Sequence, residues 1–588
     1  MNKKLFFAIL LLLFFCLYLR WNDQEVLTGA DSYYHYRKAD EVLNHRISDI
    51  DYLKNPPQGI SYTKNFYHYF IAYTSKLVPF LTLEVYMVYL PLIFSLISVI
   101  IAYKIGNLFN FYSGVSAGFF IAVTPMIVER TNKTFADTDS LILLIVLLLC
   151  YLSLRLFMTK KTLYSLLIGL VLFGLQASWS GYWFYVYIFL GAVFIYALVE
   201  MRKKAVIQFL SAAGAYIIPA TFYQWDTLAD LLGILKNSHN DALQHQAVVQ
   251  HQANGISLNV GELREVTREM LLSKLGIVLP LGILGCAVLV YLTYRERRYY
   301  PISLLLFSVL IPSALTLRGG ERFLFLFAVP LILLSSIALG FVLKNLWRLK
   351  CRAAGIGIIL ILLLCAYQVR INSDITRPYA DEDWREALQW VNENTEEDAV
   401  IISWWDYGYW IEALAERASY IDNGYRPNSK ISWLCEMLTA ETAAPLKDPE
   451  FDNAYILLTE RELSHFEMIS RLCGERLEYM VRFPRESGSQ HKFSTFYEEC
   501  LIFKRDGTIE IGTEGNFKPF NGTIYFEEEK KYKAVFSNDP LPSRIFIVKR
   551  ELEKTLFTEM YLRNAETLPE IEMIKEFKKI KVFKIYIE

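Results

Sequence analysis

The sequence predicts a polytopic α-helical membrane domain followed by an extracytoplasmic mixed α/β domain. Three observations carry that prediction. Hydrophobic residues make up 54% of the 588 positions and charged residues 21%, too apolar a balance for a chain that lives wholly in water. Crossing a bilayer takes about 20 apolar residues, and the chain between positions 4 and 371 holds eleven such runs. After residue 372 the charges spread evenly and no further run of that length occurs. Lys plus Arg (60) nearly cancels Asp plus Glu (61), so no global field draws the chain to nucleic acid, and the local placement of charge carries the information.

The expected spans are 4–20, 84–104, 109–128, 139–158, 162–179, 183–200, 205–222, 274–294, 299–317, 322–344 and 353–371. The first follows Lys3 and Lys4 without a small-residue cleavage site, which reads as a retained span rather than a removed signal. Basic residues collect in cytoplasmic loops, and here Lys3/Lys4, Lys104, Lys160/Lys161, Arg202 to Lys204, Arg295 to Arg298 and Lys344 to Arg352 fall in alternate loops. By parity the loop 21–83, the turn 129–138, the loop 223–273 and everything after 372 share the outer side. The domains expected are therefore 1–372 and 373–588. In the second, Asp381 opens an amphipathic helix, 399–403 is a buried strand, 427–443 and 461–473 are helices, and 490–550 holds strands broken by Gly and Asn turns. Of eight cysteines, four lie inside apolar runs, one in a basic loop and three, an odd number, in polar sequence, which indicates neither a disulfide framework nor a structural metal.

Carboxylates beside a membrane span are costly to desolvate and are usually solvated or functional. Asp31 lies in Gly29-Ala-Asp-Ser-Tyr-Tyr-His-Tyr-Arg37, Asp137 and Asp139 in Phe135-Ala-Asp-Thr-Asp139, and Glu262 in Asn259-Val-Gly-Glu-Leu-Arg264. Hard divalent cations take such oxygen ligands and bridge them to phosphates. The plainer reading of each is local: Asp31 as a helix cap, Glu262 as an exposed helix face. Arg130 and Arg322, at outer ends of spans, either snorkel to the interface or pair with an acid or an anionic lipid headgroup.

The most specific signal is Ser403-Trp-Trp-Asp-Tyr-Gly-Tyr-Trp410, directly after the buried strand. An Asp beside indoles gains nothing in a core unless it has a partner. The expectation is an exposed aromatic floor with one acceptor, suited to a small hydroxylated side chain.

Trp404-Trp405-Asp406-Tyr407-Gly408, placed after a multi-span half, resembles the signature of the oligosaccharyltransferase catalytic subunit, the enzyme of asparagine-linked glycosylation, in its prokaryotic, archaeal-type form. Asp31 and Asp137-Thr-Asp139 resemble that family's two acidic motifs, Arg130 its required arginine, and Asn259-Val-Gly-Glu262 its mobile-loop element. Arg322 in Gly-Gly-Glu-Arg-Phe resembles the lipid-phosphate arginine. Tyr409 falls where the family meets the lipid-linked sugar, and Ile469 in Glu462-Leu-Ser-His-Phe-Glu-Met-Ile469 is the nearest match to an acceptor-packing residue. The loop element begins with Asn rather than Thr or Ser, and the family has thirteen spans where eleven are found.

The resemblance implies a GT-C-type glycosyltransferase of the cell membrane, its site and C-terminal domain extracytoplasmic, acting as a single subunit. It implies transfer of an oligosaccharide en bloc from a polyprenyl or dolichyl (di)phosphate to Asn in Asn-X-Ser/Thr of acceptor polypeptides, with inversion. Asp31, Glu262 and Arg130 would be catalytic, and Asp31, Asp137, Asp139 and Glu262 would hold Mn²⁺ or Mg²⁺. Trp404, Trp405, Asp406, Glu262 and Ile469 would bind the peptide, and Arg322 and Tyr409 the lipid-linked donor. The alternatives are another transferase using a lipid-phosphate sugar, protein O-mannosyl or lipid-modifying, and a lipid-linked-sugar transporter with ion-coupling acids. Two acceptor triplets lie on the outer side, Asn132-Lys-Thr134, expected to be structural, and Asn521-Gly-Thr523, exposed between strands.

Overall fold

The structure, a computed structural model, describes residues 3–200, 202–223, 265–351, 379–447, 451–462 and 555–586, parts of 353–364, and short pieces, mainly strands, between 463 and 554. It forms two units, Met1–Ile47 with Thr63–Tyr379, and Ser48–Tyr62 with Ala380–Glu588.

The first unit is helical, its apolar runs and two helices of the outer loop 21–83 included: α1 Lys3–Arg20, α2 Ala30–Leu43, α3 Phe66–Ser75, α4 Leu83–Asn107, α5 Phe111–Val123, α6 Pro125–Arg130, α7 Asp139–Thr159, α8 Thr162–Gln176, α9 Tyr182–Glu200 and α10 Lys203–Tyr223. After them come α11 Arg268–Leu275, α12 Val278–Arg295, α13 Tyr300–Thr316 and α14 Leu324–Arg348. Among the described residues seven helices are long and apolar enough to cross a membrane, and three shorter apolar helices lie at 5–20, 111–123 and 162–176. The expected span 353–371 lies mostly outside the described residues.

The span expected at 109–128 is shorter than its hydropathy suggested. A residue before proline is pushed out of the helical region, Thr124 is extended at φ −64°, ψ 124°, and Pro125 restarts the chain as α6. Because Pro125 has no N–H, the carbonyl of Ile121 loses its intrahelical donor. Arg20, fully buried at the end of α1, replaces it: its guanidinium donates to Ile121 O at 3.1 Å, to Ala122 O at 2.8 Å and to Thr131 Oγ1 at 2.8 Å. The first span is thereby fastened to the break that precedes Asp137.

The second unit is mixed α/β. Asp381 caps α15 (Glu382–Asn394), accepting from Trp384 N at 3.1 Å, and Trp384, Ala387, Leu388 and Val391 bury the one face that this spacing defines. The central sheet has the order β6 (Ile571–Glu576), β7 (Ile580–Ile585), β5 (Ala454–Thr459), β3 (Val400–Ile402), β4 (Ala418–Ser419). β3 runs parallel to both β4 and β5, and β7 antiparallel to β5. Every residue of β3 and β5 is buried, as strands covered on both faces require. A second helix, α16, spans Asn428–Thr439, and two four-stranded antiparallel sheets occupy parts of 480–549.

One segment departs from the sequence expectation. Residues 48–62, read as part of an outer loop of the membrane domain, fold with the second unit. They form a hairpin, β1 (Ile50–Asp51) against β2 (Ile60–Ser61), and the Leu53 carbonyl accepts from Ser419 N at 3.0 Å. Hydropathy gives no sign of this, because the tie lies between polar backbone groups far apart in sequence.

Candidate active site

In the first unit, the two acidic motifs are brought together by bonds on both sides of them. Three residues before each Asp, Thr28 N donates to Thr134 O at 2.9 Å, and the two threonine hydroxyls stand 3.0 Å apart. Lys133, 1% exposed, donates to Asn22 O at 3.1 Å and Gln24 O at 3.0 Å, with its ammonium over the Trp21 and Tyr89 rings. One turn after Asp31, His35 Nε2 lies 3.3 Å from Asp137 Oδ1. Asp31 is exposed in the first turn of α2, and i and i+4 share a helix face about 6 Å apart along the axis, so Asp31 projects from the face that meets Asp137.

Asp137 is largely buried. Burial pushes its carboxyl up, but the His35 hydrogen bond and charge, the Thr138 backbone N–H and Arg130 outweigh it and hold the group below its ordinary range. His35 Nδ1 lies 2.8 Å from His68 Nε2 on α3. Burial, followed by the neighbouring His35, Lys38 and Arg37, drives His68 well below the usual imidazole value, so it is neutral. Asp139 opens α7, and Arg130 at the end of α6 donates to its Oδ2 at 3.3 Å. The alternative that Arg130 pairs with an acid is thus the one observed.

Among the described residues no three of His, Cys, Asp and Glu stand close enough to hold a metal ion. Glu262 and its loop element lie outside the described residues, as does Asn521. Arg322 belongs to the short 3₁₀ turn Glu321–Phe323 before α14. Its neighbour Glu321 pairs with Lys274 of α11 at 3.3 Å, and the same ammonium meets Glu129, beside Arg130, at 2.5 Å. Asn132 is consumed internally, its Oδ1 accepting from Lys133 N at 2.7 Å and Asn22 Nδ2 at 3.2 Å.

In the second unit the Trp-Trp-Asp sequence leaves β3 and turns through a short 3₁₀ helix, Trp405–Tyr407. The expected exposed aromatic floor is not what forms. Trp404 and Trp405 are 5% and 4% exposed, their rings 3.9 Å apart, because each indole gains more by burial than by facing water. Tyr407 and Trp410 pack on Trp384 of α15, with ring centroids 4.5 and 5.1 Å away. Gly408 permits a close approach: a Cβ there would fall 2.6 Å from Asp422 Cα. Asp406 is the member left at the surface, its side chain 34% exposed and its Oδ2 3.2 Å from Arg461. Tyr409, expected to meet the lipid-linked sugar, is buried, with Lys54 on its hydroxyl and ring, and only 5% of its surface is left for another contact. Ile469 is fully buried, its carbonyl 2.6 Å from Cys435 Sγ.

Sequence reasoning missed His35, His68, Arg20 and Lys54. His35 alone had a local signal, its i+4 spacing from Asp31; the others act through partners more than thirty residues away in sequence.

A multi-span helical unit with acids at its helix ends, joined to an α/β unit bearing the tryptophan turn, has the architecture of the GT-C-type membrane glycosyltransferases. A family model described as oligosaccharyl transferase STT3, N-terminal, matches residues 5–372, and the chain belongs to that family. It is 24% identical over 480 residues to dolichyl-phosphooligosaccharide-protein glycotransferase 1 of Archaeoglobus fulgidus, an alignment spanning 67% of this chain and 76% of that protein. Over 78 residues, 13% of this chain and 10% of the relative, it is 42% identical to the dolichyl-diphosphooligosaccharide–protein glycosyltransferase subunit stt-3 of Caenorhabditis elegans. The fold matches the archaeal oligosaccharyltransferase AglB of Archaeoglobus fulgidus in complex with an inhibitory peptide and a dolichol-phosphate, with TM-score 0.67, 17% identity, and 98% of this chain and 80% of that one covered. A structure of the Archaeoglobus fulgidus enzyme with Zn and sulfate matches with TM-score 0.64 and 17% identity, over 97% of this chain and 79% of that one.

Proposed function

We propose that the chain transfers an oligosaccharide en bloc from a dolichyl or polyprenyl phosphate carrier to the side-chain nitrogen of Asn in Asn-X-Ser/Thr of acceptor polypeptides. It acts as a single subunit on the extracytoplasmic face of the cell membrane. The observation that carries this reading is the juxtaposition of the Asp31 and Asp137 motifs, tied by Thr28 to Thr134 on one side and by His35 to Asp137 on the other. Family membership and the relatives' dolichyl-phosphooligosaccharide chemistry support it.

An amide nitrogen is a poor nucleophile because its lone pair is delocalised, with about 18–20 kcal/mol opposing full rotation. Asp31, exposed at the head of α2, and Glu262 would each accept one N–H of the acceptor amide, favouring a twisted geometry and aligning the nitrogen for attack on the anomeric carbon. A single in-line displacement inverts that carbon. Arg322 would contact the departing phosphate, while Arg130 keeps Asp139 in place.

Asp31, Asp137 and Asp139 are hard oxygen donors of the kind that bind Mn²⁺ or Mg²⁺; among the described residues no three such groups stand within reach of one ion, so with Glu262 they would hold it only once drawn closer together. Bound there, the cation would neutralise charge on the phosphate as a Lewis acid. In the second unit Asp406, the exposed member of the turn, would accept the hydroxyl of the acceptor's Ser or Thr, with the buried indoles shaping its surroundings. A site built to bond a hydroxyl rejects the analogue lacking it.

The test is a glycopeptide gel-shift assay with the purified chain, lipid-linked oligosaccharide, Mn²⁺ and paired Asn-X-Thr and Asn-X-Ala peptides. A chelator-sensitive shift with the Thr peptide alone is expected. Equal modification of both peptides, or of neither, would refute the reading.

A further inference from the structure

The tip of the β1–β2 hairpin is built into the interior of the second unit. Lys54 bridges Ser419 in parallel register, and Lys430 Nζ donates to the Pro56 carbonyl at 3.4 Å. This docking carries the Lys54 side chain inward, and the residue is 7% exposed. Its ammonium lies 3.3 Å from Asp422 Oδ1, 3.3 Å from the Tyr409 hydroxyl oxygen and 4.5 Å from the centroid of the Tyr409 ring.

Asp422 is fully buried, and the same Oδ1 accepts from Gly424 N at 2.6 Å and Tyr425 N at 2.9 Å. The loop has closed tightly on the pair: a Cβ on Gly424 would fall 2.3 Å from the Tyr409 hydroxyl and 3.1 Å from Lys54 Nζ. Asp422 also abuts Gly408, so the Lys54–Asp422 pair touches two consecutive residues of the turn that carries Asp406.

A buried ion pair is seldom more stabilising than apolar residues of the same volume, and its best-attested use is to fix one arrangement against its neighbours. Cation–π attraction strengthens when the cation is desolvated, which is the situation of Lys54 over Tyr409. Resting on the reading that Asp406 receives the acceptor hydroxyl, we infer that Lys54 is a positioning residue for the acceptor. Clamped by Asp422, its ammonium fixes Tyr409 and through it the turn that presents Asp406.

The test is steady-state kinetics with an Asn-X-Thr peptide and lipid-linked oligosaccharide, together with melting curves, on the full-length chain. Lys54→Met raises the peptide KM by about tenfold or more, with kcat and the donor KM within about twofold. Lys54→Arg, which keeps a cation over the ring, recovers most of the loss. Lys54→Met also strands a buried carboxylate, so Lys54→Met combined with Asp422→Asn is the stricter variant: it returns the melting temperature toward wild type but not the peptide KM. A double variant with both at wild-type values overturns the inference, as does a donor KM that moves while the peptide KM stays. Asp406→Ala separates the two readings. A raised peptide KM there beside unchanged Lys54 variants refutes the role of Lys54 alone; an unchanged one refutes the hydroxyl receptor itself.

Discussion

Asp137 in the first unit and Glu462 in the second are both carboxylates taken largely out of water; burial pushes each of them up, yet their net shifts run in opposite directions. Asp137 has His35, the Thr138 N–H and Arg130 around it and is held below its ordinary range. Glu462, 2% exposed, accepts from Thr459 N at 2.6 Å, from Thr459 Oγ1 at 2.7 Å and from Tyr407. Those neutral donors do not offset burial, which pushes it up to about 6. The difference teaches what outweighs burial here: an imidazole and a guanidinium beside Asp137 do so, and the uncharged donors around Glu462 do not. An anion kept charged at a helix junction suits chemistry. One whose pKa is raised to about 6 beneath a turn suits packing.

The largest effect that would break this contrast is at Asp137. Asp137→Ala should lower kcat/KM for peptide transfer by at least about 100-fold, roughly 2.7 kcal/mol of transition-state stabilisation. Glycopeptide formation at saturating donor measures it. Undiminished, chelator-sensitive turnover would remove Asp137 from the site and leave both acids structural.

Glu462 gives a smaller effect of a different kind. Its folded-state pKa of about 6 lies above the ordinary glutamate value of 4.5, so its contribution to stability is fully present below 4.5 and is lost as pH rises through 6. On a shift of that size the loss is about 2 kcal/mol. Glu462→Gln, which cannot ionise, should flatten the stability of the detergent-solubilised chain between pH 4.5 and 7 relative to wild type, read from denaturant midpoints. Asp137 does not confound this window: with a depressed pKa its contribution is lost only as pH falls below the ordinary carboxylate value. An identical slope in the variant would show that Glu462 is ionised throughout.

Much of this was legible before any coordinates. Spans follow from run length, because lipid requires each backbone polar group to be satisfied inside its own helix. The capping Asp381 and the face of Trp384, Ala387, Leu388 and Val391 follow from spacing. The tryptophan motif is visible as a string, but its exposure is not: Trp404 and Trp405 cover each other, and Tyr407 and Trp410 pack on Trp384, more than twenty positions earlier. Arg20 reads as an ordinary basic residue at a span end until Pro125 is seen to leave carbonyls for it. Lys54 reads as a loop lysine until the hairpin tip meets Ser419. In each case the deciding partner is remote in sequence, and periodicity reports only on neighbours.

The smallest effect sharpens the contrast most, because it tests the imidazole and spares the acid. His35→Ala leaves Asp137 the Thr138 N–H and Arg130 but removes the contact that holds the carboxylate against α2. Transfer should fall by about tenfold, with the peptide and donor KM values little changed. His35→Gln can place an amide N–H near the position of Nε2 and so donate to Asp137, although it does not reproduce the Nδ1 hydrogen bond with His68. If Asp137 is set by that one bond, Gln restores most of the activity. If Gln and Ala are equally impaired, the His35–His68 pair matters for its own sake, and Asp137 is held by Arg130 and the backbone alone.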